Sequence, residues 1–230
     1  MNIKELLNEV LLKDKAYIHL PFGDGKYDIN ESVVVTWILM AVILVLLLFL
    51  THGFKVHNIS RRQAAIESFV IWIRRMVSEM LGEEAEGYTE YICTVLIFLA
   101  VTNMSGLLGF VPPTMDINVT AALSLMSILL VQFASIHKKG ALKWLKGFTQ
   151  PMAVITPMNI LELAIRPLSL CMRLFGNIIG ATVIMELIKN TRFPAIYPLP
   201  FCLYFDIFDG LIQAYVSVFL TSLYIKEAVE

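Results

Sequence analysis

The sequence predicts an all-α polytopic membrane protein with about five membrane-embedded helices and one interfacial amphipathic helix. Its composition indicates membrane insertion, because 57% of the 230 residues are hydrophobic and only 16% are charged, whereas soluble domains have roughly 45–50% and about 25%. Its uncharged runs indicate helices, since about 20 residues of α-helix cross the hydrocarbon core. The formal net charge of -1 and the short clusters of Lys and Arg exclude nucleic acid as a partner.

The first membrane span is the clearest element of the sequence. Residues 33–54 are predicted to form this helix, because the run VVVTWILMAVILVLLLFL has no charged residue and exceeds the apolar core of a signal peptide. Residues 1–32, with several acidic residues ahead of this run, are predicted to form a segment on the outer side of the membrane. The N-terminus is expected outside, because Lys and Arg are concentrated in the segment after this span and in a later loop on the same side.

An amphipathic helix is predicted over residues 60–82, on the cytoplasmic side. Apolar residues recur at helical spacing in SRRQAAIESFVIWIRRMVSEML, and charged residues take the other positions. Ser60 and Gln63 match a capping box at its start. A helix of this kind lies at the membrane surface or against a partner.

Two helical hairpins are predicted to follow. Residues 88–136 form a transmembrane hairpin in this prediction, because the turn VPPTMD separates two uncharged runs. Residues 137–150 are expected to form a basic cytoplasmic loop with four lysines. Residues 155–228 are expected to form a long, tilted hairpin, since both of its segments exceed the length of a perpendicular crossing. The distribution of Lys and Arg over the loops then predicts a cytoplasmic C-terminus.

A polar stripe follows the first helix of the long hairpin. Its members share one helical face, and they are Glu162, Arg166, Ser169, Arg173, Asn177 and Gly180. Arg173 is the unusual member, because an arginine at the membrane centre costs roughly 2.5–3.5 kcal/mol on insertion scales and no acidic residue lies within one turn of it. Its counter-charge is expected on another helix or another protein. Glu162 and Arg166 either take part in ion transport or form an i,i+4 pair near the headgroups.

A second polar stripe lies on the last helix and comprises Asp206, Asp209, Gln213, Ser217 and Tyr224. Because the two helices of the hairpin are antiparallel, Asp206 and Asp209 are expected at the outer end, near Thr182 and Glu186 of the preceding helix. Carboxylates in this position predict an acidic access path for a cation. The alternative is that Asp206 and Glu186 are solvated beside the connecting loop.

Three motifs resemble subunit a of F-type ATP synthases, the membrane stator subunit of the F0 sector. They occur in the family's order, on the corresponding helices, as DINVT at 116–120, RPLSLCMRLFGNIIG at 166–180 and LIQAYVSVFLTSLYI at 211–225. The resemblance implies that Arg173 is the essential stator arginine. It also implies that Asn177 lies one turn beyond this arginine and that Gln213 faces it from the last helix.

The resemblance further implies half-channels for ions, and here the sequence departs from the family. Thr182 and Asp206 occupy positions of the outer half-channel where the family commonly has Glu or His. Glu186 or Asp209, one turn away, are the candidates to compensate. The remaining half-channel candidates are Glu162, Arg166, Ser169, Asp116 and Asn118.

The same resemblance implies an ion-translocating subunit with no catalytic activity, cofactor or metal of its own. Two half-channels and the arginine would couple the flow of H+ or Na+ to the rotation of a ring of c subunits, against which the long hairpin lies, and so to ATP synthesis. The implied partners are the c ring, the stalk subunit b, the rest of the ATP synthase and the lipid membrane. The lack of a transit peptide favours a bacterial plasma (inner) membrane.

Two other classes of function fit the sequence less well. A secondary transporter or channel would use Arg173 to bind an anionic substrate, but the sequence shows no internal repeat. A membrane-embedded hydrolase is disfavoured because HExxH and GxSxG motifs are absent and the four histidines lie outside the apolar spans. The absence of a glycine-rich phosphate loop indicates that the chain does not itself make ATP.

Overall fold

The computed structural model describes residues 17–18, 29–55, 59–108, 112–140, 144, 156–189 and 203–229. Within these ranges five helices are long and apolar enough to cross a membrane, which confirms the prediction of an all-α polytopic membrane protein. The five spans lie on α1 (Glu31–Thr51), α3 (Thr89–Met104), α4 (Ile117–Lys139), α5 (Thr156–Lys189) and α6 (Gly210–Val229). The sixth long helix, α2 (Arg61–Leu81), is the amphipathic one.

Shorter elements join these helices. The 3-10 helices are Glu83–Tyr88, Ser105–Leu108 and Pro113–Met115, and the π-helix Tyr204–Asp209 leads directly into α6. The strands among the described residues are one antiparallel pair of two residues each, Tyr17–Ile18 with Ile29–Asn30. Most of the predicted N-terminal segment, Lys143 and Lys146 of the predicted basic loop, and the α5–α6 connection lie outside the described residues.

The first span, α1, is apolar on all sides and contributes little to the core. Leu39 is its buried hydrophobic residue, whereas Leu46, Leu48 and Phe49 are among many that are exposed in the isolated chain. A helix that is hydrophobic all round belongs in an apolar environment. Lipid or another subunit therefore has to cover most of this surface.

The amphipathic helix α2 begins as the sequence predicts, with one difference at its cap. Ser60 Oγ accepts the backbone N–H of Gln63 at 3.2 Å, which is one half of a capping box. The reciprocal half is missing, because the Gln63 side chain hydrogen-bonds both backbone groups of Lys55 at 3.0 Å instead. The Gln63 side chain therefore also anchors Lys55, in the chain that precedes α2. At its other end the helix stops at Leu81, and the next residue, Gly82, has a φ of 76°, which glycine adopts at little cost.

The centre of the bundle is α6, which packs against α2, α3 and α4. Its buried apolar residues, with those of its neighbours, form one continuous core that includes Val77, Ile92, Leu99, Val131, Leu174, Val218 and Ile225. Helix α5 lies at the side of the bundle, where it packs mainly on α4 and meets α6 at few points. It continues through Pro167 without interruption. One face of α5 is therefore in the core and the opposite face is open.

Candidate functional site

The polar stripe of α5 lies on its open face. None of its six members is buried, whereas Leu170, Cys171 and Leu174, at other positions around the same helix, are buried against the bundle. Arg173 is partly exposed, and among the described residues none forms a hydrogen bond or an ion pair with it. The guanidinium of Arg173 is therefore partly exposed in the middle of α5, and no described residue provides an opposite charge for it.

One turn beyond Arg173, Asn177 connects α5 to α6. Its Nδ2 donates to Gln213 Oε1 at 2.6 Å. Gln213 is 4% exposed, and its Nε2 has no hydrogen-bond partner among the described residues. Ser217 Oγ, one turn further along α6, is likewise buried without a partner. The structure therefore brings together Asn177 and Gln213, next to the helical turn that carries Arg173.

A cluster of charged residues joins the same two helices about two turns before Arg173. Arg166 Nη2 donates to Glu162 Oε1 at 2.6 Å and to both carboxylate oxygens of Glu227, at 3.1 and 3.0 Å. The guanidinium also lies over the Tyr224 ring, 4.6 Å from its centroid. The Glu162–Arg166 pair has the i,i+4 spacing that the sequence predicts. Glu227 was missed, although it lies one turn beyond Tyr224 on the predicted stripe of α6.

At the opposite end of the bundle, a buried amide holds α3 against the start of α6. Asn103 Nδ2 donates to the backbone oxygen of Gly210 at 3.0 Å. A Cβ on Gly210 would lie only 3.2 Å from Asn103 Cβ, so glycine permits this approach. Thr114 Oγ1 lies 3.5 Å from Asn103 Oδ1 and completes a small buried polar group. The sequence analysis did not identify Asn103, although an amide side chain inside an apolar span could have indicated it.

The other half-channel candidates are dispersed around this second end. Asp209 is partly exposed within the π-helix that precedes α6, and Thr182 Oγ1 donates to Ile178 O of its own helix at 2.8 Å. Asp116 is buried and caps α4 by accepting the Asn118 N–H at 3.1 Å. Ser169 and Asn118 are exposed. The side chains of Glu186 and Asp206 lie outside the described part of the structure.

The described residues contain no group of three or more His, Cys, Asp or Glu that could hold a metal ion. The charged groups are instead distributed along α5 and α6. One guanidinium with two carboxylates lies at the Glu227 end, and one open guanidinium lies at mid-helix. This arrangement can hold a fixed positive charge beside a polar helix seam, and it can attract an anionic group of a partner.

Comparison with known proteins extends over nearly the whole chain. The sequence pattern of the family described as ATP synthase A chain matches residues 33–226. The chain is 34% identical over 210 residues to ATP synthase subunit a of Moorella thermoacetica, which covers 90% of this chain and 94% of the relative. It is 32% identical over 230 residues to ATP synthase subunit a 3 of Pelobacter propionicus, with 98% and 96% covered. It is also 27% identical over 219 residues to the sodium ion specific ATP synthase subunit a of Propionigenium modestum, with 88% and 75% covered.

Proposed function

This chain belongs to the ATP synthase A chain family, and we propose that Arg173 is the fixed charge that faces the ring of c subunits during ion translocation. The chain is an ion-translocating membrane subunit of the ATP synthase and has no catalytic activity by itself. It works as a partner of the rest of that complex.

The position of Arg173 on the open face of α5, without a partner among the described residues, carries the proposal. An arginine remains charged in a protein, and a charge within the membrane needs an opposite charge or water. A carboxylate on a neighbouring ring subunit would supply it. An opposite charge within about 4–6 Å favours the ionised carboxylate, so a ring carboxylate that approaches Arg173 releases its ion.

The fixed charge also has a second effect in this mechanism. It repels a cation that would otherwise move from one half-channel directly into the other, so that ions cross the membrane only on the rotating ring. The membrane potential supplies about 2.3 kcal/mol per elementary charge per 100 mV. Ring rotation then passes this free energy to the catalytic part of the complex. Asn177 and Gln213, hydrogen-bonded to each other at 2.6 Å, give this region its polar lining.

The half-channels are assigned by their distance from Arg173 along the two helices. Glu162, Arg166 and Ser169 belong to the cytoplasmic side in this proposal. Thr182, Glu186, Asp206 and Asp209, with Asp116 and Asn118 at the start of α4, belong to the outer side. With these sides, the N-terminus lies outside, the C-terminus is cytoplasmic, and the membrane is a bacterial plasma membrane. The coupled ion is H+ or Na+, and a requirement for added Na+ in ATP synthesis distinguishes the two.

Two further contacts complete the assembly that we propose. The open face of α5 meets the c ring, which brings the ring carboxylate opposite Arg173. The amphipathic helix α2, with Phe69 and Trp72 stacked and exposed, is available to the membrane interface and to the stalk subunit b. The rest of the exposed apolar surface, including most of α1, faces lipid.

The experiment that tests this proposal is substitution of Arg173 in the whole ATP synthase, reconstituted in vesicles. Arg173→Ala should abolish ion-gradient-driven ATP synthesis, and Arg173→Lys should retain little of it because lysine lacks the planar, multi-donor fork. Arg75→Ala is the matched control, since Arg75 is an exposed arginine of α2. Wild-type synthesis by the Arg173→Ala enzyme would disprove the assignment.

A further inference from the structure

We propose that Arg166, Glu162, Glu227 and Tyr224 form a clamp that fixes α5 against the end of α6 and thereby positions Arg173 for the ring. The inference rests on the proposed function, which it deepens by giving Glu227 and Arg166 a positioning role. These residues act on the ring through the placement of Arg173 and do not themselves meet the ring carboxylate.

The geometry of the clamp is that of a shared, charge-assisted hydrogen-bond centre. Arg166 Nη2 lies 2.6 Å from Glu162 Oε1 and 3.0 Å from Glu227 Oε2, and the Tyr224 ring covers the guanidinium at 4.6 Å. The Arg166 side chain is only 17% exposed, although both carboxylates remain more than half exposed. Charge-assisted bonds to a guanidinium are stronger than neutral ones, and Arg166 is buried enough for solvent to screen them less than at an open surface. Two acidic partners for one arginine also leave an acceptor available if one bond opens.

The clamp lies where the connection between the two helices is otherwise weak. Helix α5 packs mainly on α4 and contacts α6 at few points. Hydrogen-bonded side chains join α5 to α6 at Arg166–Glu227 and at Asn177–Gln213. Arg173 lies between them, seven residues after the first and four before the second. At a rise of 1.5 Å per residue these separations are about 10 Å and about 6 Å.

Pro167 adds a reason for support at this point. It lies inside α5, next to Arg166, and a proline has no backbone N–H to donate to the preceding turn. The helix is therefore weakest in its backbone hydrogen bonds at the turn that carries Arg166. A side-chain link to α6 at the same turn compensates for this weakness. Without it, the segment that carries Arg173 could turn about the Asn177–Gln213 link.

The two links between α5 and α6 matter for function because the ring exerts a force on α5. In the proposed mechanism the ring carboxylate pulls on Arg173 as the ring rotates, and the bond geometry of an ion pair is sensitive to small displacements. A helix held on both sides of Arg173 resists this pull, whereas a helix held on one side yields. Loss of the clamp is therefore expected to lower coupled synthesis without removing the arginine or its charge.

Charge reversal tests the clamp in the whole complex. Glu227→Arg places two guanidinium groups together, and Arg166→Glu places three carboxylates together. Each is expected to lower ion-gradient-driven ATP synthesis at least about threefold, as for residues coupled in one salt-bridge network. The double variant Arg166→Glu with Glu227→Arg restores opposite charges and should return the rate to within about twofold of wild type. Glu90→Arg is the matched control, because it reverses the exposed pair Arg74–Glu90, whose atoms lie 2.9 Å apart.

A distance measurement gives a readout that does not depend on activity. Spin labels at Met158→Cys on α5 and Leu223→Cys on α6, both exposed positions, report the separation of the two helices after the native cysteines are replaced by alanine. The single reversals should lengthen and broaden the distance distribution, and the double variant should return it to that of wild type. The Glu90→Arg control should leave it unchanged.

The outcomes separate the clamp from the function on which it rests. Wild-type rates and distances in both single reversals would overturn the clamp, as would a double variant no better than the singles. Retained synthesis in Arg173→Ala would instead overturn the proposed function, and the label distances would still decide whether the clamp holds α5 to α6.

Discussion

Helices α5 and α6 are both long and apolar, and each carries a polar stripe, yet the two stripes differ in how deeply their residues are buried. On α5 none of the stripe residues from Glu162 to Gly180 is buried. On α6 Gln213 and Ser217 are buried in the centre of the bundle. The difference follows from packing, because α6 packs against α2, α3 and α4 whereas α5 lies at the side of the bundle.

This difference distinguishes two roles of polar residues inside a membrane. A buried polar group such as Ser217, which has no hydrogen-bond partner among the described residues, acts on the stability of the chain. Arg173, which has no partner among the described residues, needs one from outside the chain and so acts on assembly and transport. Substitutions of buried residues should therefore change the stability of the isolated chain, and substitution of Arg173 should change function alone.

The largest effect on stability is expected from Leu174→Ala. Leu174 follows Arg173 directly but points into the core, where it is 1% exposed. Truncation of a buried leucine to alanine costs about 2–5 kcal/mol, so the free energy of unfolding of the full chain in detergent micelles should fall by that amount. Leu168→Ala, at an exposed position of the same helix, is the control. Equal stability of the two variants would contradict the division of α5 into a buried and an open face.

The next effect is expected from Gly210→Leu, at the start of α6. A Cβ at this position already lies 3.2 Å from Asn103 Cβ, and a larger side chain would push α3 away and strain the Asn103–Gly210 hydrogen bond. Overpacking of this kind costs about 1–3 kcal/mol, measured again as the free energy of unfolding. Gly210→Ala should be milder, because part of the strain is offset by the higher helix propensity of alanine. Unchanged stability in Gly210→Leu would show that the two helices do not pack closely.

The number of spans followed from the sequence because the length and charge of apolar runs are properties of single segments. The VPPTMD turn and the run from Val33 to Leu50 can each be identified without reference to the rest of the chain. The face shared by Glu162, Arg166 and Arg173 also followed, since it depends only on helical periodicity. The structure adds which way that face points, which depends on how the helices pack.

The sequence pattern could not predict contacts between residues that are far apart in the chain. Asn103 meets Gly210 across 107 positions, and Arg166 meets Glu227 across 61. Neither pair has a spacing that periodicity can detect, because each depends on the register between two separate helices. Asp116 is different, because its cap on α4 is a local contact with the N–H of Asn118, two residues along the chain.

A smaller effect, of opposite sign, is expected from Ser217→Ala on the buried stripe. Ser217 Oγ is buried and has no hydrogen-bond partner among the described residues. Removal of an unpaired buried hydroxyl relieves its desolvation, so stability should rise by about 1 kcal/mol. The same change at Ser222, which is buried in the same way, should act alike. A loss of stability in Ser217→Ala would show instead that the hydroxyl is hydrogen-bonded in the folded protein, for instance to a water molecule.

The smallest effect on stability is expected from Gly176→Leu, which is the counterpart of Gly210→Leu on the open face of α5. A Cβ at Gly176 meets no atom within 4 Å, and replacement of a mid-helix glycine adds roughly 0.5–1 kcal/mol through helix propensity. The isolated chain should therefore fold as well as wild type or slightly better. In the whole complex, however, a leucine beside Arg173 would occupy the space through which the ring approaches, so coupled synthesis should fall sharply. The same change from glycine to leucine would then lower stability at Gly210 and lower coupled synthesis at Gly176. Full synthesis by Gly176→Leu would place the ring contact elsewhere.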